Sequence, residues 1–177
     1  MYIWGIVLIA LLTVLLYLFR KHIIQKNLDE LINATDITEY NVLPDFLPVE
    51  KLAIMFEKVL NEYHLKKINN SLFLEILVEL ADRQSNTYEI LRDDIRNNID
   101  TTLCKLWNTT SLDEVETTTY LIVNLGLEKC FEKAKESLIV DKNMDMAIRK
   151  EIEETIEEVG ENIRNPFYDL DSKFKHR

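Results

Sequence analysis

Five glutamates, Glu153, Glu154, Glu157, Glu158 and Glu161, form the densest run of carboxylates in this sequence. At helical spacing they stand three and four residues apart and make one acidic ridge. Like charges so placed cost only ~0.2–0.5 kcal/mol per pair. The more ordinary reading of the ridge is a solvated face, and the functional one is a docking surface for a basic partner; a cost this small forces neither. A second carboxylate pair, Glu75 and Glu79, interrupts the most apolar stretch of the chain after the N-terminus, Leu72 to Ala81. Burial there would raise a carboxyl pKa and permit proton transfer. The more ordinary place for such residues is the exposed edge of an otherwise apolar helix.

Other chemistry finds little to build on. Of the three histidines only His64 falls in the body of the chain, because His22 and His176 lie towards its two ends. One histidine cannot make a His-rich metal site, and neither H-E-x-x-H nor E-x-x-H occurs. Three isolated glycines, Gly5, Gly126 and Gly160, cannot form a phosphate-cradling loop. Cys104 and Cys130 are the only cysteines, and both lie in apolar-rich stretches where a buried thiol is inert. Their number suits a reducing compartment and leaves room for at most one disulfide. Pairing either thiol with His64 is the remaining nucleophilic arrangement. Asn33-Ala-Thr, Asn69-Asn-Ser and Asn108-Thr-Thr match the glycosylation acceptor pattern, which a cytoplasmic domain does not use. These residues point away from an enzyme, with no cofactor and no metal, and towards a binding protein.

Charge narrows the partner. The 177 residues carry a net charge of −10, and residues 27–165 hold 29 acids against 15 bases. A domain this acidic is repelled by phosphate backbones, so no nucleic-acid role is expected, whereas a basic protein partner is attracted and steered.

The elements that must position these residues begin with Met1 to Phe19, an uncharged run of nineteen residues. As a helix it covers roughly 28 Å, close to the ~30 Å hydrocarbon core of a bilayer. Tyr2, Trp4 and Tyr17 suit the two interfaces. A cleaved signal peptide fits less well, because no basic segment precedes the run and no small-residue cleavage site ends it. Arg20, Lys21 and Lys26 flank the run on its far side only, which puts the N-terminus outside and the rest in the cytoplasm, on a single-pass inner (plasma) membrane protein.

Three glycines and three prolines leave few breakers, so the remainder is expected to be helical. Residues 20–47 read as a juxtamembrane helix and linker, with Pro44 and Pro48 marking the break. Residues 48–165 read as a bundle of about five helices. The first runs from Pro48 to His64, the second starts at Ser71, and the third is capped by Ser85 or Asn86. The fourth runs from the Ser111/Glu114 capping box to Ile139, and the last from Asn143 to Asn165-Pro166, with Ile148, Ile152, Ile156, Val159 and Ile163 as its stripe. The β-branched run Thr117 to Val123 stays helical, since no partner strand is in sight. Residues 166–177 read as a loose tail. The expected fold class is thus all-α, a single N-terminal transmembrane helix followed by an antiparallel-type bundle.

The function this implies is a membrane-anchored acidic binding protein, of inhibitor or immunity type, for a basic protein near the inner membrane. The alternative is a bitopic scaffold or assembly factor for a membrane complex. Orientation is directly testable. Protease added outside intact spheroplasts is expected to leave residues 27–177 uncut, and their digestion would reverse the topology.

Overall fold

The structure is a computed structural model that describes Arg20 and residues 36–168. Contacts divide the chain into two compact units, Met1–Thr35 and Asp36–Arg177. The expected anchor, Met1 to Phe19, lies outside the described residues, as do Lys21, Lys26 and the tail beyond Tyr168. Among the described residues no helix is long and apolar enough to cross a membrane.

The described part of the second unit is all-α, with seven helices and no strand. They are α1 (Thr38–Asn41), α2 (Val49–His64), α3 (Asn70–Ser85), α4 (Asp93–Leu106), α5 (Leu112–Leu125), α6 (Glu128–Val140) and α7 (Met146–Val159). From α2 onwards the chain crosses between two layers at every loop. One layer holds α2, α4 and α6, and the other holds α3, α5 and α7. Helix α3 packs on α2 and α5, α5 on α3 and α7, α7 on α6, α6 on α4, and α4 on α2, so the bundle closes. Leu52 and Phe56 of α2, Phe73, Ile76 and Leu77 of α3, Ile99 and Leu103 of α4, and Leu121 and Ile122 of α5 are fully buried between the layers. Each such side chain contributes ~1.5–3 kcal/mol of transfer free energy. A smaller cluster of Val115, Ala134, Met144, Ile148 and Ile152 joins α5, α6 and α7.

The helix count differs from the expected five for identifiable reasons. The stretch Ser111 to Ile139 is two helices rather than one. Gly126 (φ +67°) takes the left-handed conformation at the end of α5, and Leu127 N donates back to the Ile122 carbonyl at 3.0 Å. Helix α6 then starts without a local capping side chain. Asp100 of α4 supplies the missing acceptor. Its carboxylate takes the Lys129 N–H at 2.9 Å and the Cys130 N–H at 2.8 Å, almost fully buried. A cap contributed from another helix leaves no mark beside the break it serves.

Three other boundaries move. Ser85 ends α3 rather than opening the next helix, and α4 starts only at Asp93. Between them the Thr87 hydroxyl donates to the Gln84 carbonyl and the Gln84 amide to the Glu89 carbonyl, giving the backbone a bonded alternative to helix. Asn69, not Ser71, caps α3 by accepting the Leu72 N–H at 2.9 Å. Helix α7 stops at Gly160, so Ile163 lies beyond it in a turn. The Ser111 cap forms, with its hydroxyl accepting the Glu114 N–H at 3.4 Å, while the Glu114 carboxylate accepts from Asn108 instead of closing the box. Thr117 to Val123 is helical as expected. Residues 36–47 carry one helical turn and bury Tyr40 and Leu47 in the core, although their sequence reads as linker.

Two left-handed positions give opposite predictions. A Cβ on Gly126 would meet the Ile163 carbonyl oxygen at 2.8 Å, where the turn after α7 seats on it. Gly126→Ala is expected to destabilise the protein by about 2 kcal/mol or more. Lys66 (φ +57°) closes α2 with its N–H on the Tyr63 carbonyl, followed by Lys67 on Glu62, a position that favours glycine. Lys66→Gly is expected to stabilise by ~0.5 kcal/mol. Urea denaturation midpoints check both.

Candidate functional site

Charge divides between the layers more sharply than the sequence order reveals. Helices α3, α5 and α7 together carry eleven acids and three bases, whereas α2, α4 and α6 carry nine and seven. The three bases of the first layer are already engaged. Arg83, 6% exposed, bonds Glu79 at 2.7 Å and the Leu43 carbonyl at 3.0 Å. Arg149 pairs with Glu153 at 3.7 Å and Lys150 with Glu154 at 3.3 Å. The Lys150 pair is exposed and worth little, whereas Arg149 is partly buried and also donates to the Leu138 and Asp141 carbonyls at 3.3 Å.

All five ridge residues are exposed. Glu153, Glu154, Glu157 and Glu158 lie on α7, and Glu161 follows just past its end. Glu157, Glu158 and Glu161 make no ion pair among the described residues. The ridge is flanked by the buried stripe of Ile148 and Ile152, with Ile156 and Val159 partly buried. Arg20 is exposed, and Lys21 and Lys26 are outside the described residues.

The residues weighed for catalysis do not converge. His64 lies 3.3 Å from the Thr102 hydroxyl and lines a cleft with Glu57 and Asp94, both of which Arg92 holds. Glu75 accepts from Ser71 at 2.9 Å and lines a different cleft, while Glu79 is bound to Arg83. Cys104 on α4 and Cys130 on α6 are free thiols, the first partly buried and the second fully buried. Burial raises the pKa of both, that of Cys130 strongly, which keeps them protonated and unreactive. Among the described residues no group of three or more His, Cys, Asp and Glu side chains could hold a metal ion.

The sequence did not bring forward the seam between α3 and α5. Asp82, Asp113, Glu114, Glu116 and Tyr120 gather there beside Glu75. The available signal was the complete lack of Lys and Arg in Leu112–Leu125. Tyr120 donates to Asp82 across the seam, and its phenol pKa is raised, first by burial and then by that carboxylate. No family model matches this chain, and neither a curated protein nor a solved structure matches it.

The buried phenol of Tyr40 yields a test of the electrostatics. It is 1% exposed, and its hydroxyl finds no partner among the described residues. Burial, with Glu62 and Glu39 adding to it, pushes its pKa up to about 12 from 10.0. The folded state therefore favours the neutral phenol. The resulting stability is complete below pH ~10 and is lost as pH rises towards 12. Tyr40→Phe removes an unsatisfied buried hydroxyl and is expected to match or exceed the native stability at pH 7 by up to ~1 kcal/mol. Its advantage should widen in urea melts between pH 10 and 11.5. A constant or shrinking gap would contradict the assignment.

Proposed function

We propose that this protein is a membrane-anchored, non-enzymatic binding protein, of inhibitor or immunity type, whose acidic helical domain docks a basic protein. The observation that carries the reading is the charge division between the layers. Eight of the net negative charges sit on α3, α5 and α7, against two on α2, α4 and α6. A domain that needed charge only for solubility gains nothing from concentrating it on one layer, and self-repulsion opposes doing so. A one-sided field instead steers an oppositely charged partner and rejects wrong ones. The ridge Glu153, Glu154, Glu157, Glu158 and Glu161 belongs to this layer or directly continues it. Met1 to Phe19 would hold the domain at the inner membrane, facing the cytoplasm, with Arg20, Lys21 and Lys26 against anionic headgroups.

Affinity capture of the full chain from detergent-solubilised membranes tests this reading. The expected result is a basic protein that elutes as salt is raised. With that protein in hand, reversing Glu154, Glu157 and Glu161 to Lys is expected to slow association and to flatten its salt dependence, at a stability cost within ~0.5 kcal/mol per site. Recovery of an integral membrane assembly that survives high salt would favour a bitopic scaffold instead.

A further inference from the structure

A cleft and a shallower, open depression adjoin along the seam of α3 and α5 and share Thr117. Their floor is apolar. Leu74 and Val78 stand four residues apart on α3, and Leu106 closes one end. Their rims are carboxylates, with Glu75 and Asp82 on α3 and Asp113, Glu114 and Glu116 on α5. From Asn70 to Asp82 the groove follows α3 for roughly 18 Å, the length of about three helical turns.

None of the five rim carboxylates pairs with a cation among the described residues. Glu75 accepts from Ser71, Glu114 from Asn108, and Asp82 from Tyr120, all uncharged donors. Arg83 is the one base on the two helices, and it is buried and already bound to Glu79 and the Leu43 carbonyl. The groove thus keeps an uncompensated negative rim above an apolar floor. That pattern complements a helix with apolar residues every three to four positions and Lys or Arg on either flank. An extended segment fits poorly, because the described residues offer no strand edge to take up its backbone donors and acceptors. A helix brings its own backbone bonds with it.

We infer that the α3–α5 groove is the docking site for a basic amphipathic helix of the partner protein. The inference rests on the reading of the domain as a binder of basic proteins, and adds to it the surface used and the form of the segment bound.

The test uses the full chain in zwitterionic nanodiscs, with empty nanodiscs subtracted. The probe is a fluorescent fourteen-residue Leu/Lys peptide at helical spacing, compared with a scrambled peptide of the same composition. Two triple variants are measured: Glu75→Lys, Asp113→Lys and Glu116→Lys in the groove, and Glu154→Lys, Glu157→Lys and Glu161→Lys on the ridge. The groove triple is expected to weaken the helical peptide at least ~tenfold, the ridge triple less than about threefold, and the scrambled peptide should bind native protein at least ~tenfold more weakly. Thr117→Arg, which fills the groove with one half-exposed substitution, should reproduce the groove effect, with circular dichroism confirming that it folds. A benzophenone at a Leu position of the peptide should cross-link to Leu74 or Val78. Loss of binding in the ridge triple alone would overturn the groove and leave the basic-partner reading standing. Equal binding of the scrambled peptide would reduce the attraction to diffuse charge and also overturn the groove. Failure of native protein to bind either peptide would remove the basic-partner reading itself.

Discussion

The arrangement of this domain turns on the reversal at Gly126 and on the carboxylate of Asp100, which secures the start of α6. Without a left-handed residue there, Ser111 to Ile139 would run on as one helix in one layer. With it, the chain turns from α5 into α6 and crosses to the other layer. Asp100 then satisfies the N–H groups of Lys129 and Cys130, which would otherwise be orphaned at a buried helix start. The same glycine carries the backbone of Ile163 and Arg164 within van der Waals reach, so the turn after α7 is seated on the reversal. The crossing of the chain, the start of α6 and the end of α7 meet at one point where no side chain fits.

That point also explains what the sequence could and could not disclose. Periodicity located the buried faces of α2, α3 and α7 well, because Leu52, Phe56, Ile76, Leu80, Ile148 and Ile152 repeat at helical spacing and are all buried. It failed where a boundary was set by something distant or by competing local bonds. Gly126 is a single residue between Leu125 and Leu127 whose apolar neighbours keep helical spacing on both sides, and Asp100, which caps the helix that follows it, is far away in sequence. The loop from Asn86 to Arg92 is held by Thr87 and Gln84, which bond within the loop itself, while Leu91 keeps an apolar spacing that mimics helix. Tyr40 is fully buried although Pro44 and Pro48 come after it, because one helical turn is enough to set a ring into the core.

The candidate site was half legible for a related reason. A ridge on one helix is visible as a dense run of glutamates. A groove between two helices is not, since Glu75 and Asp113 are separated by all of α4 and meet only after the chain has crossed layers twice. No single window holds both of its rims. The sequence did hold the total absence of bases in α5, a property of a whole element rather than of a motif.

In the proposed reading, ridge and groove act on different rates. The ridge carboxylates are solvated, so their field is screened within a Debye length of ~8 Å at physiological salt and acts mainly on the encounter. The groove combines its carboxylates with Leu74, Val78 and Leu106, whose surface leaves water only once a partner has seated. Apolar burial does not steer, but it governs how long a complex lasts, and differences among related complexes lie mostly in that dissociation rate. A protein with the ridge alone would collect basic proteins quickly and release them quickly. Placing an apolar floor beneath an uncompensated rim on the same layer converts attraction into residence. It also discriminates, because a merely basic surface satisfies the rim and leaves the floor in water.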